Sequence, residues 1–322
     1  MRLVALTFSA VAFGLLTVGA CQAPPESAPC KNNAVSRASA ASTPQPHSLL
    51  GRPLLPDPPG DRAKLEQALH DARAQLDERP DDPDRLIWVG RRLGYLWRIQ
   101  EAIDVYSDGI RRFPDYAALY RHRGHRYITL RQFDAAIRDL KKAAELLGDR
   151  PDQVEPDGMP NAKNIPLTTL KFNVSYHLAL AHYFNGDFQA AFEALNETMR
   201  HTRGYDDNLV AVSDWMYLTL MRLGRAKAAA DLLEPISQDM NIIENTAYHR
   251  RLLMYKGLLS PEGLLSPTRD DVAVATLGYG VAMHFEFKGE SRRAREILER
   301  VVAGKSWPAF GFIAAEAELA RQ

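Results

Sequence analysis

Between Pro83 and Arg150 the apolar and polar positions recur with helical rather than strand spacing, and one arrangement is written twice, 34 residues apart. Leu119, Tyr120, Arg123, Gly124 and Tyr127 fall along one helical stripe, and Phe133, Ala136, Ile137 and Leu140 along the next. Each copy therefore predicts two antiparallel helices. Gly90 returns as Gly124, Ala102 as Ala136, and Trp97-Arg98-Ile99 as Arg131-Gln132-Phe133. The small residues let the two backbones of a pair approach closely, and the large Phe133 fills the space beside them. Pro114 cannot extend the helix before it and ends the first copy; Pro80 holds the same place one period earlier. A fixed period of this length is the mark of stacked units that bury their apolar faces on their neighbours.

The pattern organises residues 61–322 as one helical repeat domain. Asp61 opens a helix to about Glu78 whose face of Leu65, Ala68, Leu69, Ala72 and Leu76 suits an N-terminal cap. The period breaks at 149–166, where Pro151, Pro156, Gly158, Pro160 and Pro166 predict an inserted loop, functional or merely flexible. A third copy begins near Phe172 with Ala179, Gly186 and Ala191, and a fourth carries Gly224 and Ala229. Asn245 to Leu265 is helical but fits the period loosely, and Thr276 to Val302 is a clearer copy. Trp307 to Ala320 predicts a last helix, whose polar residues Glu316, Glu318 and Arg321 suit a solvated C-terminal cap.

Gly90, Ala102 and Pro114, and again Gly124, Tyr127 and Ala136, resemble the tetratricopeptide repeat, although Leu93 and Gly148 depart from its usual aromatic and proline. The resemblance implies an all-α, right-handed α-solenoid of antiparallel helix pairs. It also implies a concave face, lined by the first helix of each pair, that binds a protein or peptide. Carried over position by position, that face comprises Arg91 and Tyr95, Arg121 and His125, and Tyr176, Tyr183 and Phe184. The three aromatics could equally be core between repeats. The Lys/Asn arrangement with which some members grip a terminal carboxylate is missing.

The first twenty residues read as an export signal: Arg2, then an apolar run from Leu3 to Leu16. Val18-Gly19-Ala20-Cys21 resembles the lipobox of bacterial lipoproteins, which implies acylation of Cys21 and anchoring in the cell envelope. Gln22, in place of Asp, then implies the periplasmic face of the outer membrane. Residues 21–60 read as a disordered tether rich in Pro, Ser and Ala.

Charge is balanced at 40 basic and 40 acidic residues in a chain of 322, which argues against nucleic acid as a partner. The two cysteines, Cys21 and Cys30, both precede the repeats, so the repeats hold no disulfide. No nucleophile elbow, zinc-protease helix, phosphate loop or dinucleotide fingerprint occurs. His122 and His125 share a helix face but lack a third ligand, which predicts solvated histidines rather than a metal site; His182 and His284 fall at core positions. The expectation is a non-enzymatic scaffold without cofactor that binds an envelope protein or peptide. The alternative is a module for a small envelope ligand such as a glycan or peptidoglycan fragment. An open groove would favour the first, a closed aromatic-lined pocket beside the insert the second.

Overall fold

A computed structural model describes residues 46–58, 60–265 and 271–322. The export signal, Cys21, Cys30 and the remainder of the tether up to residue 45 lie outside the described residues. Among the described residues there are fourteen helices and no strand, only two isolated bridges. Four helix pairs follow one another: α2 (Pro83–Tyr95) with α3 (Ile99–Arg112), α4 (Ala117–Thr129) with α5 (Phe133–Leu147), α6 (Leu170–Asn185) with α7 (Phe188–Met199), and α8 (Asp206–Arg222) with α9 (Ala226–Leu232). Ahead of them α1 (Arg62–Glu78) packs on α2. Behind them come α10 (Thr246–Tyr255) and the short α11 (Pro261–Leu264), then the pair α12 (Asp271–Phe287) and α13 (Ser291–Val302), and finally α14 (Phe310–Arg321).

The local sequence explains where these helices start and how tightly they pair. The Asp61 carboxylate accepts from the Lys64 amide, Asp82 caps a helix that begins with Pro83, and Thr169 and Asp187 cap α6 and α7. A Cβ on Gly90 would lie 2.3 Å from the Tyr106 ring, and one on Gly124 would lie 2.8 Å from Leu140. One period thus repeats the same device, a missing side chain on the first helix receiving a large one from the second.

The hairpin turns differ along the stack. Gly186, Gly224 and Gly289 take positive φ between the helices of later pairs, as a left-handed turn favours. In the first two pairs that place is held by Trp97, with φ of 57°, and Arg131, with φ of 61°. A non-glycine residue there is strained by about 1–2 kcal/mol, and both side chains find partners at the far end of the sequence. Trp97 meets Trp307 edge to face at 5.2 Å. The Arg131 guanidinium pairs with Glu316 and donates to the Trp307 carbonyl.

These contacts change the picture of both ends. The polar side of α14 does not face solvent as a cap would. Glu316 and Glu318 are buried, Glu316 against Arg131 and Glu318 against Arg222 and Arg321, and α14 packs on α6 as well as on α12 and α13. Residues 46–58, assigned by composition to the tether, also belong to the folded unit. Leu54 is buried, Arg52 donates to the Val302 carbonyl at 2.8 Å, and the Trp307 indole donates to the Leu55 carbonyl at 2.9 Å. Proline content hides Leu50 and Leu54, whose packing on the core makes this docking favourable, while Leu49 and Leu55 stay exposed.

Further along, a second ion pair is entirely enclosed. Asp214 of α8 lies 2.9 Å from Arg251 of α10, both fully buried, with the guanidinium over the rings of Trp215, Tyr248 and Tyr279. Burial pushes the Asp214 carboxyl up to about 7 against the opposing pull of Arg251.

Candidate functional site: the inner face of the first two helix pairs

Helices α2 and α4 present equivalent positions one period apart, so their inner faces repeat one another. Trp88 corresponds to His122, Arg91 to His125, and Arg92 to Arg126. The spacing of three and four along each helix places these side chains on one stripe. Arg91, Arg121 and Arg126 lie near enough to act on one another, and Arg92 shares the Trp88 ring with Arg91, so four guanidiniums gather in one region. Among the described residues, Glu155 is the one carboxylate within 4 Å of any of them, 2.8 Å from Arg121.

The insert supplies that carboxylate. After α5 the chain runs extended, with the Glu155 amide donating to the Thr168 carbonyl and the Leu170 amide to that of Gln153. This short pairing lays residues 153–158 across α2 and α4. Arg91 donates to the Pro156 carbonyl at 2.7 Å and Arg92 to the Gly158 carbonyl at 3.0 Å. Gly158 lies so close to α2 that a Cβ there would sit 1.8 Å from the Tyr95 hydroxyl oxygen. Arg91 and Arg92 also lie over the Trp88 ring, at 4.7 and 5.1 Å. Between the insert and the helices remains a cavity of about 280 Å³, lined by Trp88, Arg91, Tyr116, His122, Glu155 and Pro156 among others.

Of the residues expected on the concave face, Arg91, Tyr95 and Arg121 come together at the insert. Arg121 is buried, and its Nε has no hydrogen-bond partner. His125 points further along the stack, 4.3 Å from the His177 ring and 5.5 Å from Phe310 of α14. It borders a separate cavity of about 510 Å³ that also touches Tyr248, Arg250 and Phe310. Tyr176, Tyr183 and Phe184 are all buried core. The Tyr183 and Tyr279 hydroxyls are 2.8 Å apart, and both Tyr183 and Phe184 pack on Trp215. As placed, these three offer no surface to a partner.

His122 and His125 are not the solvated pair that their spacing suggested. His122 is buried on the Tyr106 ring, and His125 lies between His177 and the guanidinium of Arg126. Burial first, and the neighbouring arginines second, hold the pKa values of His122, His125 and His177 well below the ordinary histidine value. Neutral imidazoles thus share the region with permanent cations, and the net field there is positive. Among the described residues no group of three or more His, Cys, Asp and Glu side chains could hold a metal.

Arg92 and Arg126 are the residues that position-by-position transfer passes over. The period itself marks them, because 92 and 126 are 34 apart on the same stripe. Arg126 has room only because residue 94 lacks a side chain: a Cβ on Gly94 would lie 2.5 Å from its guanidinium.

No protein-family model matches the chain, and no curated protein matches it by sequence. Solved structures do align with it. YrrB, described as a tetratricopeptide-repeat protein with an unusual peptide-binding site, aligns at 13% identity over 78% of this chain and 100% of its own, with a TM-score of 0.42. A putative kinesin light chain from Podospora anserina with nearly identical TPR-like repeats aligns at 17% identity over 79% and 99%, TM-score 0.41. The Naa15/Naa10 assembly bound to HypK-THB aligns at 15% identity over 74% of this chain and 36% of that one, TM-score 0.35. The helix order and pairing by themselves make the described residues an all-α stack of antiparallel helix pairs.

Proposed function

We propose that this chain is a non-enzymatic repeat scaffold, anchored in the bacterial cell envelope through acylated Cys21, that binds a protein or peptide on the inner face of α2 and α4. The observation that carries the reading is the imbalance of charge there: four arginines gather, Glu155 is the one carboxylate among the described residues within 4 Å of them, and Asp157 acts on Arg91 only from further off. Guanidiniums beside Trp88 and Tyr95 suit an extended backbone, whose carbonyls and acidic side chains accept the fork of N–H groups while its apolar groups meet the rings. The anchor rests on the lipobox-like Val18-Gly19-Ala20-Cys21 alone. Among the described residues no helix is long and apolar enough to cross a membrane.

The test is in-cell crosslinking followed by capture of the mature protein. Recovery of a specific envelope protein from wild type, reduced with Arg91→Ala, supports the reading. Equal recovery from both moves the binding site elsewhere. A second reading is favoured by the cavity of about 280 Å³ beside the insert, which has aromatic walls and the Arg91 cation. It would take a small anionic envelope ligand such as a peptidoglycan fragment. Calorimetric titration with soluble fragments decides it: measurable heat that disappears in Arg91→Ala supports a small ligand, and no heat removes this reading.

A further inference from the structure

We infer that residues 153–158 are a built-in occupant of the partner groove, a self-ligand that an extended acidic segment of another protein must displace. The inference rests on the reading above that the inner face of α2 and α4 is the binding face. What it adds is the chemistry of the partner and a means of regulation.

The segment is held as a bound peptide would be. It forms a bridge at Val154 and bends at Gly158, and two of its carbonyls, at Pro156 and Gly158, accept from Arg91 and Arg92. A single acidic side chain, Glu155, reaches the buried Arg121. Its own sequence-local support ends at Glu155, where the pairing with residues 168–170 stops. Beyond that point Pro156 and Met159 are exposed, and the grip on 156–158 comes mainly from the arginines and the close approach to Tyr95. A larger residue at Gly158 would force the segment, Tyr95 or Arg91 to shift.

The lock is incomplete, which gives a competitor something to gain. One Glu155 oxygen and the Arg121 Nε are buried without a hydrogen-bond partner. No carboxylate within 4 Å answers Arg91, Arg92 or Arg126 among the described residues. A partner segment carrying a carboxylate at the place of Glu155 and a second acidic residue a few positions away would satisfy Arg121 and also give Arg91 or Arg92 a carboxylate where the insert offers only a carbonyl. The tethered copy still competes at an effective concentration on the order of millimolar. Weak or singly charged segments are therefore excluded, and the insert acts as a threshold on partner choice.

The experiment uses the full chain and a fluorescein-labelled synthetic peptide with the sequence of residues 151–160, followed by anisotropy. Wild type should bind it weakly, because the attached copy holds the groove. Glu155→Gln removes the charge that seats the attached copy, so peptide affinity should rise about tenfold or more, given the cost of leaving Arg121 buried and unpaired. Hydrogen exchange over 152–158 should speed up in the same variant. Adding Arg91→Ala to Glu155→Gln should remove the gain, as should a peptide with its acidic residues changed to amides. Unchanged exchange over 152–158 in Glu155→Gln overturns the inference, and so does faster exchange with no gain in peptide affinity. If Glu155→Gln fails to fold, Gly158→Ala serves instead, since its Cβ would stand 1.8 Å from the Tyr95 hydroxyl oxygen and 2.7 Å from an Arg91 nitrogen, and so pushes the segment off α2 without removing any charge. Peptide binding that behaves as expected while crosslinking recovers no envelope protein would leave the self-ligand standing and remove the scaffold reading.

Discussion

Arg131 and Glu316, 185 residues apart in sequence, pair at 2.7 Å with both side chains about 2% exposed. Arg131 sits in the turn of the second helix pair and Glu316 in the last helix, so the bond ties the beginning of the stack to its end. Its enclosure decides what each partner contributes. Removing one member of a buried pair leaves an uncompensated charge and costs about 3–5 kcal/mol, whereas replacing both with apolar groups is often neutral. Arg131→Ala and Glu316→Ala should therefore each lower Tm by on the order of 10 °C, and Arg131→Leu with Glu316→Leu should recover most of the loss. A double variant no better than the singles would show that the hydrogen bonds of Arg131 to the backbone, and not the ion pair, hold the junction.

Overpacking tests the register of the helix pairs. Ala136 is fully buried, and its carbonyl lies 3.4 Å from where a Cβ on Gly124 would stand. Ala118 is half-buried at the edge of the cavity beneath the insert. Ala136→Leu should cost about 1–3 kcal/mol, while the cavity at Ala118 admits the larger side chain with little effect. Equal denaturation midpoints for Ala136→Leu and Ala118→Leu would contradict this packing.

The helix pairs are legible in the sequence because the period is carried by residues that must be small at a contact, such as Gly90, Gly124 and Ala136. Such positions are read without knowing what lies across the fold. The partners of Glu316 and Glu318 are not legible in this way. A carboxylate on a helix face looks solvated until an arginine from a distant segment is placed against it, and no local spacing encodes that meeting. The same reason hides the burial of Tyr183, whose hydroxyl is satisfied by Tyr279 from a helix 96 residues on. The candidate site is legible in part. Arg91 and Arg121 follow from the repeat register, but Glu155 lies in a stretch without periodicity, so its docking on Arg121 had no sequence signal beyond opposite charge. Arg121→Ala is for that reason no neutral surface change: it would strand Glu155, and Arg91→Ala is the cleaner probe of binding.

The buried histidines set the acid sensitivity of the fold. Burial and the charges of Arg121, Arg91 and Arg126 keep His122, His125 and His177 neutral well below the ordinary value of 6.5. The unfolded chain binds protons at these groups below about pH 6.5 and the folded chain does not, so stability falls as pH drops through that range. Each fully buried group contributes up to about 1.4 kcal/mol per pH unit. Asp214 works the other way, because its raised folded pKa favours the folded chain at low pH and that contribution fades between about pH 4 and 7. Partly buried His182 and His284 are lowered as well, and Asp157 and Glu244 are raised like Asp214, so five histidines stand against three carboxyls and leave a net loss on acidification. Tm should fall steadily from pH 7 to pH 5, and His122→Asn should shallow the slope. A Tm that stays level or rises over that interval would refute the assignment of neutral histidines.

The proposed anchor has a direct test. Cys21→Ala removes the thiol that would carry the lipid, so the chain should accumulate as unprocessed precursor or leave the membrane fraction as a soluble protein. Wild type should partition into detergent and gain the mass of its acyl chains. A wild-type protein of unmodified mass that stays in the aqueous phase would refute the lipid anchor while leaving the groove untouched.

Trp97 sets backbone strain against packing. At φ of 57° it occupies a conformation that Gly186, Gly224 and Gly289 adopt freely in later turns, so Trp97→Gly should relieve about 1–2 kcal/mol. The same change removes a half-buried indole packed on the main core and its edge-to-face contact with Trp307. An aromatic pair contributes about 0.5–1.5 kcal/mol beyond its area, and truncating a large buried aromatic costs about 3–5 kcal/mol when burial is complete. The packing loss is the larger, so Trp97→Gly should be less stable by about 1–2 kcal/mol in denaturant titration. The loss should show as faster hydrogen exchange at Trp307 and along the first turn of α14. Trp97→Phe keeps the strain and part of the contact, and belongs between wild type and Trp97→Gly. If Trp97→Gly proves the most stable of the three, the indole does not hold the Trp307 segment to the first hairpin, and the tie between the two ends of the stack runs through the second hairpin, by Arg131 with Glu316 and the Trp307 carbonyl.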